Sequence, residues 1–471
     1  MGVSRACRPC RIAKTRCDLH RPTCSRCSKR NTFCEGYTPD AEYLFRSENE
    51  TARANSQRSR RLPTHTKISG PVLFKLEDRA LEVFYAEWVR NPHHQNKGPG
   101  YLDLLPSMKA RAESRSALSL SVEAFALANA GNLLSSKGKL SNLARAKYGA
   151  TLSVVRTAIM NDAFAADDST LMAILTIDMF EVVFMVREEP LKLHCNAIEH
   201  MLTSKGSGQI GFSISSAVHR MANHRLQVRQ LGLGLGPLPV QLACIDTLDP
   251  SRPSQCLVGV QLRAQQTIAL SRNLFSEDSL SIPTWDHLSS LLSRIYHNLD
   301  ELEAWNINLP ELWKPKRIEL AEHEHVLRDL ISNSLPFTPH VWIYEDPWLA
   351  HQMAFFYQGQ IVLRTALLDI VDVMKHYDNT YLGCSPVKHE IAIQETTILS
   401  QGDILMESIT PLLALIELDD AGAIHLAGNK ISRCYARAIC WTLQQGTRLP
   451  AKHKDFARQA EDWMRSVSDI Y

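Results

Sequence analysis

The chain has 471 residues, of which 45% are hydrophobic and 22% are charged, and its formal net charge is only +2. It is too long for one compact domain. A membrane span is also excluded, because the most apolar stretch, residues 171–186, contains Asp178 and Glu181. The charge is unevenly placed, since residues 1–70 carry 15 basic and 6 acidic side chains and residues 71–471 carry 37 and 44. This pattern is typical of a basic head that binds nucleic acid on a mildly acidic body.

Six cysteines near the start of the chain have the spacing C-x2-C-x6-C-x6-C-x2-C-x6-C: Cys7, Cys10, Cys17, Cys24, Cys27 and Cys34. Two separate tetrahedral zinc sites would need eight thiolates, so six suffice only if two are shared. The spacing therefore predicts a binuclear zinc site with two bridging sulfurs. The alternative is a disulfide framework in a secreted protein. It is disfavoured because residues 1–6 contain no apolar run.

Residues 6–18 (ACRPCRIAKTRCD), with Pro22 in the loop between the two halves, resemble the fungal C6 zinc cluster, a DNA-binding module with two zinc ions. The resemblance implies that Cys7 and Cys24 bridge the metals. Cys10 and Cys17 would then complete one zinc site, and Cys27 and Cys34 the other.

The charge around these cysteines predicts the function of the segment. Residues 1–34 carry nine basic side chains and one acidic side chain, a net charge of +8. Two zincs and six thiolates add only −2, so the module suits phosphate binding. The predicted DNA-binding residues are Arg11, Lys14, Arg16, Arg26, Lys29 and Arg30. In the family, the position of Lys14 reads guanines of a CGG triplet from the major groove. The preceding family position is often basic but is Ala13 here, which departs from paired-lysine readout.

We place domain boundaries at 1–38 for the zinc cluster, 39–71 for a basic polar linker and 72–471 for an all-α body. The run RSRR at 58–61 is either a nuclear-localisation signal or a solvated linker that adds phosphate contacts. About two heptads fit after the cluster, at Leu73, Leu76, Ala80 and Val83. A confident coiled-coil prediction needs three or four heptads, so we interpret this stretch as the first helix of the body. A homodimer is one of the expected partners.

Apolar residues recur at helical spacing through most of the body, and convincing alternating strands are absent. Asp168 is the expected N-cap of the central helix, and the glycine-rich segment 232–239 is expected to be a mobile loop. The predicted helices cover 72–90, 117–134, 140–160, 169–186, 190–202, 258–275, 285–305, 348–377, 387–415, 429–445 and 452–470. The last of them is either an acidic activation segment or the closing helix of the core, and we favour the core helix.

The body resembles the fungal-specific transcription factor domain. The resemblance rests on several short stretches: Phe84-Tyr85, 144–148, 168–181, 194–206, 348–368, 404–413 and Trp463. It implies an all-α regulatory domain.

No catalytic arrangement can be identified among the 18 histidines and the cysteines of the chain, so we predict that it is not an enzyme. The expected function is a nuclear, sequence-specific RNA polymerase II transcription factor. Its expected partners are double-stranded DNA with CGG-type sites and the transcription machinery or coregulators. The alternatives are a repressor or partner-tethering protein with secondary DNA binding, and an enzyme fused to a zinc cluster.

Overall fold

A computed structural model of the chain describes residues 6–35, 76–89, 102–131, 137–160, 167–185, 192–205, 214–275, 283–320, 335–377, 385–418, 424–426 and 430–467. The chain divides into two compact units, residues 1–73 and 74–471. The described part of the first unit consists of two short helices, α1 (Arg8–Ile12) and α2 (Ser25–Lys29), and the loops around them. Four of its cysteines form a small buried centre where other domains have an apolar core.

The second unit is largely helical. Within the described residues its α-helices are α3 (Leu76–Trp88), α4 (Leu105–Arg111), α5 (Ala117–Gly131), α6 (Lys137–Ile159), α7 (Asp168–Phe180), α8 (Lys192–Lys205), α9 (Ile214–Leu233), α10 (Pro239–Ala243), α11 (Pro253–Leu274), α12 (Trp285–Ile307), α13 (Pro347–Met374), α14 (Ser385–Ala414), α15 (Ile431–Gln445) and α16 (Ala451–Val467). One π-helical turn, Glu181–Met185, continues α7. The fold class is therefore the predicted one, a small cysteine cluster and a helical body.

Several local predictions need correction. The N-cap of α7 is Asp167 rather than Asp168, because the Asp167 carboxylate accepts the backbone N–H of Thr170 at 3.1 Å. The expected loop at 232–239 begins later, since α9 continues through Leu233. Gly234 then ends the helix with φ +61°, and Leu235 donates its N–H to the Gln230 carbonyl. A residue with positive φ at this point is typical of a Schellman C-cap.

Two short antiparallel hairpins, which the sequence did not predict, accompany the helices. Strand β1 (Lys316–Glu319) pairs with β2 (His340–Ile343), and β3 (Ile416–Leu418) pairs with β4 (Ile424–Leu426). The first hairpin packs its β2 strand against α14. Within the described residues each sheet has two strands, so it depends on the neighbouring helices for stability.

The N-terminal half of the body is built on an aromatic cluster around Phe125 of α5. The Phe125 ring lies 5.0 Å from Phe84 and 4.9 Å from Trp88 of α3, measured between ring centroids. Phe180 at the end of α7 and Phe184 in the π-helical turn lie 6.2 and 5.1 Å away. These tilted and edge-on contacts bind α3, α5 and α7 into one core.

An ion pair ties the first helix of the body to a late one. The Lys430 ammonium lies 2.8 Å from the Glu87 carboxylate, and the Lys430 backbone N–H donates to the Glu87 carbonyl. Asn129 donates to the same carboxylate at 2.7 Å and accepts the Trp88 indole N–H at 2.9 Å. The end of α3 is therefore held by both α5 and the residue that precedes α15.

The C-terminal half of the body is centred on α13, which contacts α11, α12, α14 and α15. The last helix, α16, packs on α14 and α15 and buries Ala457, Ala460 and Trp463. The Arg433 guanidinium lies over the Trp463 ring, 5.4 Å from its centroid. This burial supports the core-helix interpretation of the C-terminal segment.

Candidate metal and DNA-binding site

The six predicted cysteines come together in the first unit and form two sets of four. One set comprises Cys7, Cys10, Cys17 and Cys24, and the other comprises Cys7, Cys24, Cys27 and Cys34. Within each set all sulfurs lie within 4.8 Å of one another. The two sets thus share Cys7 and Cys24, which is the sharing that two tetrahedral sites with six ligands require.

The spacing between the sulfurs fits zinc. Cys7 Sγ lies 3.7 Å from the sulfurs of both Cys24 and Cys27, and Cys10 Sγ lies 3.7 Å from Cys24 Sγ. The distance from Cys17 Sγ to Cys7 Sγ is 3.9 Å. Four sulfurs at a Zn–S distance of about 2.3 Å around a tetrahedral ion are about 3.8 Å apart. The residues therefore fit two zinc ions, which they would hold as thiolates.

The protonation of the thiols is sensitive to their surroundings. Burial raises the pKa of the Cys7 thiol far above its ordinary value. The sulfur of Cys24, together with burial, raises the pKa of Cys27 to about 12. Burial would also raise the pKa of Cys17, but backbone N–H groups of Cys7 and Leu19 outweigh it and lower that pKa to about 7. Because zinc binds thiolates, metal loading must displace protons from the buried cysteines.

The two halves of the module share one backbone plan. Each CxxC pair begins a single helical turn, and that turn ends at a residue with positive φ, Lys14 at 47° and Asn31 at 55°. The next residue in each half is a threonine whose N–H donates to the carbonyl of the second cysteine of the pair, at 2.9 Å in the first half and 3.0 Å in the second. This cap ends the helix and directs the chain back toward the third cysteine of its half.

Polar contacts hold the halves together. The Asp18 carboxylate accepts the Ser25 backbone N–H, with both oxygens at 3.2 Å, and this hydrogen bond lowers the pKa of Asp18. Cys24 is the N-cap of α2, and its sulfur accepts the Cys27 N–H at 3.4 Å. Arg8 of α1 pairs with Glu35 at 3.0 Å. The start of α2 is thereby fixed from the end of the first half.

The predicted DNA-binding side chains lie on the outside of the module. Those of Lys14, Arg16, Arg26, Lys29 and Arg30 are all exposed, whereas the sulfurs of the CxxC pairs are buried. The Arg11 backbone belongs to α1, but its side chain lies outside the described part of the structure. The module thus has a buried metal-binding centre and an exposed cationic surface.

Two exposed side chains of α1 were not in the predicted set. Arg8 has four-residue spacing to Ile12, so both lie on the same side of the helical turn. The charge of Arg8 was visible in the sequence, but its contact with Glu35 was not. Exposure of Ile12 could be expected because it follows Cys10 by two positions and so points away from the sulfurs.

Outside the cysteine cluster, three features of the described residues bear on function: the possible metal ligands, the other cysteines and the longest helices. In the ranges that the structure describes, the groups of three or more His, Cys, Asp or Glu ligands suited to one metal ion are those two cysteine sets. Cys195, Cys244, Cys256, Cys434 and Cys440 are free thiols, and Cys384 lies outside the described residues. Among the described helices, none combines the length and the apolar character that crossing a membrane requires.

Residues 5–43 match the family model of the fungal Zn(2)-Cys(6) binuclear cluster domain. Comparison of the whole chain with curated proteins and with solved structures gave no match. The domain match and the sulfur geometry together identify a DNA-binding module that holds two zinc ions. The domain match supports a DNA-binding transcription factor in general.

Proposed function

We propose that this protein is a nuclear, sequence-specific RNA polymerase II transcription factor that reads CGG-type half-sites through residues 1–38. The observation that carries the proposal is the placement of Lys14. Lys14 is exposed and has the positive φ that ends the helical turn of α1. The module that carries it has buried sulfurs positioned for two zincs. In this arrangement Cys7 and Cys24, which belong to both sets of sulfurs, would be the shared ligands of the two metals.

The exposed cations supply affinity that does not depend on sequence. Arg16, Arg26, Lys29 and Arg30 are exposed on a segment with a net charge of +8 before its metal site is counted. Lysine and arginine that neutralise phosphates release counterions, so each contact makes binding weaker as salt rises. We assign Arg26 to the phosphate backbone. Such contacts fix the register of the module on the duplex.

Lys14 supplies base readout. A lysine in the major groove can donate to both O6 and N7 of guanine. The C-cap places Lys14 two residues beyond the last residue of α1, where its side chain is exposed. Because Ala13 replaces the second basic residue of the family pattern, Lys14 alone makes the lysine contact to the CGG triplet, and Arg11 and Arg16 flank it in the sequence.

We assign residues 39–71 to a basic linker and residues 72–471 to a fungal-specific transcription factor domain that regulates the DNA-binding module. The support is the helical body with its extended buried core and the short stretches of resemblance along it. Transcription machinery or coregulators are the proposed partners of this domain, and a homodimer would read two half-sites.

The test measures affinity of the full-length, zinc-loaded protein for duplexes with and without CGG. Lys14→Ala should reduce discrimination by about 1–3 kcal/mol, the range of a good base contact. Alanine keeps a Cβ at this left-handed position, so the change reports on the lysine side chain rather than on the backbone. Arg26→Ala is the matched control, because it should weaken all sequences alike and reduce the salt slope by about one. An unchanged preference for CGG in Lys14→Ala would refute the assignment.

A further inference from the structure

Helix α1 exposes an aliphatic side chain on the side that faces away from the metal-binding centre. Ile12 is 73% exposed, whereas Cys10, two positions earlier, is buried among the sulfurs. Side chains two positions apart on an α-helix are separated by about 200° around the helix axis. The outer side of α1 therefore presents Ile12, together with Arg8 on the same face.

Single exposed apolar residues are common on protein surfaces, so exposure alone assigns no role. The surroundings of Ile12 are more specific. Within a few positions along the chain lie the exposed cations Lys14 and Arg16, and Arg8, which pairs with Glu35. A surface with this much positive charge favours a polyanion, and an exposed apolar side chain close in sequence to these cations favours a polyanion that also displays apolar groups. Duplex DNA meets both conditions, because thymine presents its C5-methyl group in the major groove.

We propose that Ile12 is a specificity-determining residue that contacts the C5-methyl group of a thymine flanking the CGG triplet. The proposal rests on the proposed function, since it requires α1 in the major groove with Lys14 on the triplet. The Cα atoms of residues two apart are at most about 7 Å from each other. Successive base pairs are about 3.4 Å apart, so the thymine lies within a few base pairs of the guanines that Lys14 reads.

The test removes single methyl groups from the DNA. Full-length protein is titrated against duplexes in which CGG is flanked on both sides only by A·T and T·A pairs, so every flanking pair carries a thymine. Each thymine is replaced in turn by deoxyuridine, which lacks the C5-methyl group. We expect one replacement to weaken binding of the unmodified protein by roughly fourfold, the effect of one buried methylene-sized group.

Two variants complete the cycle. Ile12→Ala should bind the thymine and deoxyuridine duplexes equally. Phe33→Ala, which removes another exposed apolar side chain of the module (84% exposed), should keep the fourfold difference. Zinc content measured on each variant verifies that the cluster is intact, as expected for residues that point into solvent.

The outcomes separate the two proposals. If CGG is preferred but no deoxyuridine replacement affects binding, the role of Ile12 is wrong and the proposed function stands. The same holds if Ile12→Ala keeps the thymine preference. Absence of any preference for CGG would overturn the proposed function and this inference with it.

Discussion

Acidification should destabilise the body through a buried pair of histidines, His224 on α9 and His351 on α13. Their Nε2 atoms lie 3.0 Å apart. The His351 ring stacks on Tyr435 at 4.7 Å between centroids, and the His224 ring meets Phe355 edge-on at 4.8 Å. At this N···N distance one neutral imidazole donates its N–H and the other accepts it, so the contact suits two uncharged rings.

The magnitude follows from the pKa. Burial, with a smaller contribution from the charge of Arg225, lowers the pKa of His224 from 6.5 to about 4. Each pKa unit corresponds to about 1.4 kcal/mol, so this residue contributes about 3 kcal/mol to the free energy of unfolding. The contribution is complete above pH 6.5 and is lost as the pH falls toward 4, because only the unfolded chain accepts the proton. Burial also lowers the pKa of His351, which adds to the loss with the same sign.

Urea denaturation at pH 7.5 and pH 5 would measure this effect. All eight tryptophans lie beyond residue 73, so their fluorescence reports on the body. For His224 alone, about 2 kcal/mol should be lost between the two pH values. His224→Gln keeps a hydrogen-bonding group near His351 but does not titrate, so the loss should shrink by that amount.

The exposed His287 provides a matched control, and His287→Gln should not reduce the loss. Equal losses in the unmodified protein and in His224→Gln would refute the reasoning. They would mean that the buried pair accepts a proton without penalty, for example by sharing it between the two Nε2 atoms.

Two further predictions concern the metal site and the last helix. Cys7→Ser removes a shared sulfur and should impair both zinc sites. Cys17→Ser leaves the second set of four cysteines complete and should retain about one zinc per chain. If metal analysis finds that both variants lose the same amount of zinc, the two sites do not share Cys7. Trp463→Ala should lower the free energy of unfolding by about 3–5 kcal/mol, and residues 452–471 tethered to a foreign DNA-binding domain should not activate a reporter. Strong activation would identify this segment as a coactivator contact instead.

The metal site could be predicted because its information is local. Each CxxC pair lies within one helical turn, and the ligand arithmetic requires no knowledge of the rest of the fold. The C-caps at Lys14 and Asn31 could not be predicted in this way. Lys14 is neither glycine nor asparagine, so the sequence carries no signal for the positive φ that it adopts, and Asn31 carries a weaker signal than a glycine would.

Helix α9 shows why other elements escape prediction. It buries the polar residues His224, Gln227 and Gln230 beside apolar ones such as Ala222 and Leu226. The Gln227 amide donates to the Val258 carbonyl at 2.9 Å, and the Gln265 amide of α11 donates to the Gln227 carbonyl at 2.6 Å. These partners are distant in sequence, so hydrophobic periodicity does not reveal that the polar positions of this helix are buried as well.

The first hairpin was missed for a related reason. Strand β1 reads KRIE, and three of its four side chains are exposed. It is a strand because β2 pairs with it in register, from Lys316 opposite Ile343 to Glu319 opposite His340. The hydrogen bonds of β1 come from β2, which lies about 20 residues later in the chain. The residues of β1 themselves show no alternation of apolar and polar side chains.

The ion pair between Glu87 and Lys430 has a consequence for the order in which the body forms on the ribosome. The two residues are 343 positions apart, so at about 5–20 residues per second the lysine is synthesised roughly 20–70 s after its partner. Asn129, only 42 positions from Glu87, emerges far sooner, and the packing of Phe125 on α3 can begin with it. The nascent chain can thus build its aromatic centre early and hold the carboxylate through an amide. Closure of the body must then wait for the segment that precedes α15.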